Sequence, residues 1–291
     1  MSDYVITCCS TADMAPEFFE ERGIPYACFH FTMDGKEYPD DMGKSMALDE
    51  FYRRISAGAT PVTSQVNPEA ALMGFREAAR QDKDILCVCF SSALSGTYNS
   101  CRIAAQMLSE EGFSRRIVVI DSLCASTGMG LLLYQANQMK VSGASLDETA
   151  SWIEAHKLNV CHVFTVDDLN HLYRGGRVSK TAAIVGSMIS IKPILHVDDA
   201  GTLQVIGKVH GRNKSLKTLV DLMEEKMGSW KDKNEIFMIC QGDVQPEAEQ
   251  VAQMVKDRFG ISQSLISYTG PVIGSHTGAG VIGLFFMGDH R

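Results

Sequence analysis

The chain contains no apolar run near the roughly 20 residues a bilayer-spanning helix needs, which excludes a helical integral membrane protein. No Cys-x-x-Cys pair occurs, so a structural zinc site would need ligands gathered from distant segments. The phosphate-cradling G-x-x-x-x-G-K-S/T loop is missing, and so is the G-x-S-x-G nucleophile elbow. Those gaps weigh against an ATP-dependent kinase in this one chain and against an esterase-type hydrolase. Charged residues make up only 21%, and Gly and Pro, at 25 and 8, stay near the usual share, so neither disorder nor a collagen-like fibre is indicated. Basic residues are the scarcer sign, 27 against 35 acidic, and the net charge of −8 argues against a general binder of nucleic-acid backbones.

What the chain does have is length and apolar content: 291 residues at 45% hydrophobic can fill a real core, and the size suggests two domains. Nine cysteines are an odd count in a long chain that opens with no signal-peptide pattern, so free thiols in a reducing cytoplasm are expected. Cys87 and Cys89 stand two apart in an apolar segment, which puts both side chains on one face of a strand as small hydrophobes.

Up to about residue 157 strands and helices alternate, with apolar segments at 4–9, 85–90 and 117–120 each followed by a small polar loop, the signature of a parallel sheet. Asn67-Pro68-Glu69 opens a helix by the N-cap and first-turn proline rules. An earlier helix around Leu48, Phe51, Tyr52 and Ile55 ends near Gly58, and Asp34-Gly35 reads as a hairpin turn. Longer helices are expected at about 95–111, 125–140 and 146–156. Beyond 157 the character changes: a strand at 160–166, a hairpin joining 193–197 to 203–208, helices at 216–227 and 246–259, and strands at 235–240, 265–268 and 281–287 describe a smaller α+β domain with antiparallel pairing. The fold class is therefore α/β, with a parallel-sheet domain at 1–157 and a mixed domain at 158–291.

Three strands of the first region run into hydroxyl-bearing loops: Ser10-Thr11, then Ser91-Ser92-Ala93-Leu94-Ser95, then Asp121-Ser122. In an open parallel sheet such loops share one rim, and with following helix starts they can receive a carboxylate or a phosphate. Helix capping is the plain alternative for each hydroxyl. Thr63 adds another donor, Arg177 projects from a Gly-Gly loop, and His276 lies in a small-residue loop where an imidazole can meet an acid group. The Gly278-x-Gly280-x-x-Gly283 string is no dinucleotide fingerprint, because only eight residues follow it and a βαβ unit cannot. A Ser95–His276 nucleophile–base pair lacks an assignable acidic partner, and a shared ligand site explains the same residues.

In order, the strings Ser10-Thr11-Ala12-Asp13, Thr63-Ser64-Gln65, Ser91 through Tyr98, Gly175-Gly176-Arg177-Val178, Lys192-Pro193-Ile194-Leu195 and His276-Thr277-Gly278-Ala279-Gly280 span almost the whole chain. The assembly resembles the DegV family of bacterial lipid-binding proteins, which includes binding subunits of fatty acid kinases. That resemblance implies a parallel-sheet domain, a smaller second domain, and a long-chain fatty acid buried between them. It implies that Thr63 and Ser95 bind the carboxylate, with His276 beside it and Arg177 nearby; Ser92, Ser10 and Thr11 join the ligand-binding candidates from the shared rim of strand-end loops. It further implies a non-catalytic, cytoplasmic lipid carrier with no cofactor of its own. A separate kinase subunit would bring ATP and magnesium and convert the acid to an acyl phosphate. Two positions depart from the family pattern: Cys9 replaces an Asp before Ser10-Thr11, and Ala279 replaces a Pro. The rival reading is an acyl or phosphoryl transfer enzyme acting without a kinase subunit.

Overall fold

A computed structural model describes residues 4–179 and 190–291. The first sheet has the order β2-β1-β6-β7, built from β1 (Tyr4–Cys9), β2 (Tyr26–Ala27), β6 (Asp84–Cys89) and β7 (Ile117–Asp121), and all three pairings are parallel. Every residue of β1 is buried, as a parallel sheet covered on both faces requires. Tyr4 pairs with Asp84, so even-numbered β6 residues share the face on which Tyr4 Oη meets Thr149 Oγ1 at 2.8 Å, under the Leu146–His156 helix. Odd-numbered Cys87 and Cys89 then face the opposite side, beneath the Thr97–Glu110 helix. A small antiparallel sheet, β4-β3-β5, combines β3 (His30–Met33), β4 (Lys36–Pro39) and β5 (Val62–Ser64). Its hairpin turns at Asp34-Gly35 with both φ positive, 52° and 77°, the geometry that Asp-Gly favours.

The third sheet has the order β10-β9-β8-β13-β11-β12: β8 (Val160–Thr165), β9 (Ile191–Val197), β10 (Leu203–His210), β11 (Ile236–Gln241), β12 (Gln263–Tyr268) and β13 (Ile282–Met287). Only β11 with β12 is parallel. With six strands it has more strands than the parallel sheet. The antiparallel hairpin at 198–201 forms as read, closed by Asp198 accepting from Thr202 N at 2.9 Å.

The Thr127–Val141 helix joins the two larger sheets. Its buried residues include Met129, Leu131, Leu132, Leu133 and Ala136, which face several directions around the axis, and it touches β1 and β6 as well as β8, β11 and β13. From Thr127 to Leu133 every residue is buried, so the N-terminal half of this helix is covered on all sides, while Gln138 and Val141 near its end are exposed. Asn67 caps the Pro68–Ala79 helix by accepting from Ala70 N at 2.8 Å, and Ser145 with Glu148 forms a capping box at Leu146–His156. The 278–283 glycine string follows a helix and runs into a strand, the reverse of a dinucleotide loop, with φ of +76° and +82° at Gly278 and Gly280. Among the described residues no helix is long and apolar enough to cross a membrane.

Candidate functional site

A cavity of about 380 Å³ opens between the strand ends of the parallel sheet and the six-stranded sheet. Its walls are largely apolar, with Phe29, Phe90, Phe164, Leu172, Val281 and Phe285 among them. Its polar groups include Thr63, Ser64, Gln65, Ser95, Arg177 and His276. Each of these comes from a different device. Thr63 lies on the edge strand β5, paired with Phe31. Ser95 ends the loop after β6, one residue before the N-cap of the Thr97–Glu110 helix, and accepts from Thr97 N at 3.2 Å. A bond to the first helical N–H and cavity lining thus coincide in one hydroxyl.

His276 sits in the last turn of a short helix, Pro271–Thr277, rather than in the loop expected from its small neighbours. Pro271 at the first helical position fixes φ and starts that turn despite the glycine and β-branched content. His276 Nε2 lies 2.9 Å from Thr63 Oγ1, so the partner of the imidazole is Thr63 and not Ser95. Burial, and then the charge of Arg177, push the imidazole pKa down to about 4, which keeps His276 neutral near pH 7. The Gly175 backbone passes so close that a Cβ there would stand 2.0 Å from His276 Nδ1.

Arg177 follows the Gly175-Gly176 turn, where Gly176 has φ +72°. Its guanidinium donates to Leu94 O from Nε at 3.3 Å and from Nη2 at 2.9 Å, and to Gly175 O from Nη1 at 2.5 Å. Both acceptors are neutral carbonyls, and none of the ion pairs among the described residues includes Arg177. Partial burial lowers its pKa. A half-buried positive charge without a carboxylate partner, beside hydroxyls and a neutral imidazole, is an environment that favours an anion.

The structure therefore brings together four of the seven predicted residues: Thr63, Ser95, His276 and Arg177. Ser10, Thr11 and Ser92 stand outside the cavity lining. Ser10 Oγ is buried in a bond to Asp40 Oδ2 at 3.2 Å and accepts from Phe29 N, while Thr11 Oγ1 meets Cys9 Sγ at 3.2 Å. Ser92 is exposed, its N–H given to Asp121 Oδ1. Their loops share a rim by topology, but these side chains turn into the protein or into water. At Cys9, where the family pattern has an acid, burial pushes the thiol up to about 12, so the position is uncharged. Sequence reasoning missed Gln65, whose Oε1 accepts from Gly96 N at 2.9 Å and braces the Ser95 loop, although Gln65 stood in a quoted string. It also missed His162 at the apolar wall; Val160 O at 2.9 Å from Nδ1 and Ala125 N donating to Nε2 at 3.2 Å hold that ring, and burial keeps it uncharged.

Comparison with known proteins places these features in context. A DegV domain-containing protein of Clostridium perfringens is 42% identical over 100% of this chain and 99% of its own length. A stearic acid-binding protein from Eubacterium ventriosum superposes with a TM-score of 0.87 at 26% identity, covering 98% of each chain. The Streptococcus pneumoniae fatty acid kinase B3 protein, loaded with linoleic acid, shares the fold at a TM-score of 0.84 and 20% identity over 99% of this chain and 100% of that one. The family model of the uncharacterised DegV proteins matches residues 4–289, and the chain belongs to the DegV family.

Proposed function

We propose that this chain binds one long-chain fatty acid, with the alkyl chain in the apolar cavity and the carboxylate between Thr63, Ser95, His276 and Arg177. The observation that carries the reading is the union of a largely apolar 380 Å³ cavity with a guanidinium that has no carboxylate partner among the described residues. Burying a methylene contributes roughly 0.8 kcal/mol, so about a dozen of them supply on the order of 10 kcal/mol before ordering costs, and the polar end fixes orientation. A solved relative of 26% identity that binds stearic acid supports the same ligand class.

The head-group end also contains the exposed Ser64 and Gln65, so a carboxylate held there lies near solvent and within reach of a partner. In this reading the chain is the lipid-presenting component, and a separate ATP- and magnesium-dependent kinase subunit forms the acyl phosphate. The His276–Thr63 bond favours head-group binding over a Ser95–His276 nucleophile pair. Mass spectrometry of a denatured extract of purified protein is expected to find one long-chain acid per chain; absence of lipid together with no uptake of added acid overturns the carrier reading. Acyl phosphate is expected from fatty acid, magnesium and ATP only when the kinase subunit is added, and its formation by this chain alone overturns the presenting role.

A further inference from the structure

Away from the lipid cavity, three thiols converge under the loop that carries Ser95. Cys87 and Cys89 project from the same face of β6, with their Sγ atoms 3.6 Å apart, and Cys101 reaches them from the second turn of the Thr97–Glu110 helix. All three Sγ atoms lie within 4.8 Å of one another, and the residues are 2%, 1% and 5% exposed. This goes beyond strand patterning: alternation explains the pair on β6, but the third sulfur arrives from another element, directed at the same point.

We propose that Cys87, Cys89 and Cys101 form a three-sulfur site for a soft, sulfur-seeking ion, and that the ion it suits best is a trivalent metalloid of the arsenite class. Sulfur ligands select soft acceptors. Charge then decides among them. Among the described residues, no hydrogen bond or ion pair joins a lysine, arginine or histidine to any of the three sulfurs, and the bond they make is between Cys87 and Cys89. Three thiolates around a monovalent cation leave two uncompensated negative charges, and around a divalent cation one, and an uncompensated charge in so buried a place is costly. Arsenous acid avoids that cost. Three As–O bonds break, three As–S bonds form, each thiol proton leaves with a hydroxyl as water, arsenic stays trivalent, and the complex is neutral. Occupancy ties β6 to the helix on either side of the Ser95 loop and stabilises the folded chain, because the unfolded chain holds no preformed site.

The test uses the full reduced chain and arsenite, loaded either onto the folded protein or during refolding, followed by desalting and elemental analysis. One arsenic per chain is expected, with X-ray absorption showing three sulfur neighbours and no oxygen, and with a raised melting temperature. Cys101→Ala and Cys87→Val are each expected to lower retention at least tenfold, whereas Cys28→Ala, away from the cluster, retains the full equivalent. Two variants guard against one that fails to fold, and a cooperative melt qualifies each. No retained arsenic in either loading mode, arsenic retained with oxygen neighbours, or equal retention by a folded Cys101→Ala or Cys87→Val protein overturns the proposal.

Discussion

Arg177 takes its charge to a place where the described protein supplies only carbonyl oxygens. A carboxylate arriving there gains a charge-assisted hydrogen bond while the hydroxyls of Thr63 and Ser95 add neutral ones. The neutrality of His276 fits this division of labour, because a second positive charge beside Arg177 would cost more than it returned. Thr63→Ala and Ser95→Ala are each expected to weaken fatty acid binding by about 1–3 kcal/mol, and Arg177→Met by roughly 1.5–3 kcal/mol, measured by calorimetry on lipid-stripped protein. Ser92→Ala, at an exposed position off the cavity, serves as a control with unchanged affinity. Wild-type affinity in the Thr63, Ser95 and Arg177 variants alike would move the head group elsewhere.

The Pro271–Thr277 helix is the element that carries His276 to the proposed head-group site, and two buried acids hold its start. Gly270 N donates to Asp13 Oδ1 at 3.0 Å, Ser126 Oγ donates to Asp13 Oδ2 at 2.5 Å, and Asp40 accepts from Ser10 Oγ and from the backbone of Val272. Burial raises both carboxyls, Asp13 well above its ordinary range and Asp40 to about 7. The raised Asp40 pKa means that the folded state binds this proton more tightly than the unfolded chain, whose Asp titrates near ~3.9. Its contribution is full below about pH 4 and is lost as pH rises through about 7. Asp40→Asn mimics the protonated acid, so its stability relative to wild type is expected to climb from about pH 4 to pH 7, reaching on the order of 3 kcal/mol. Taking the difference between two proteins cancels His276 and His162, whose lowered pKa values make stability fall toward acid pH in both. Denaturant unfolding at several pH values checks this, and a constant difference across that range would mean that Asp40 titrates normally in the fold.

At the scale of the whole molecule, the cavity exists because two sheets meet around one buried helix. The core is continuous across the meeting: Ile6 and Leu86 of the parallel sheet belong to the same apolar cluster as Met238 and Phe285 of the six-stranded one. Polar ties reinforce it. Ser91 Oγ donates to Gly201 O at 2.8 Å, and the buried Arg291 donates from Nη1 to Leu123 O at 2.6 Å and to Asp198 O at 3.0 Å. A ligand that fills the space between the sheets completes this core, so it stabilises the native state by mass action. Refilling lipid-stripped protein with fatty acid at about 100 times its Kd is expected to add roughly 2.7 kcal/mol, seen as a raised melting temperature. An unchanged melt with bound lipid would show that the unfolded chain binds it equally.

Much of this was legible in the residues. Alternating apolar strands and capped helices dictated the parallel sheet, because burial on both faces and N-cap chemistry act over a few residues, and the Asp34-Gly35 and Asp198 turns followed from φ and side-chain rules equally local. The ordered strings around Thr63, Ser95, Arg177 and His276 likewise pointed to the polar end. Local rules could not say which hydroxyls on one rim turn toward the cavity: Ser10 faces Asp40, Thr11 faces Cys9, and Ser92 faces water, each decided by a partner distant in sequence or by the bend of the loop. Nor could they say that His276 ends a helix braced by Asp13 and Asp40, or that Cys101 would join Cys87 and Cys89. The opening absences still hold as composition, and the missing Cys-x-x-Cys proved the most informative of them. The chain alone put Cys87 and Cys89 on one face of a strand; only the packing of a helix against that strand brought Cys101 to them, because side chains far apart in sequence meet where two buried faces close.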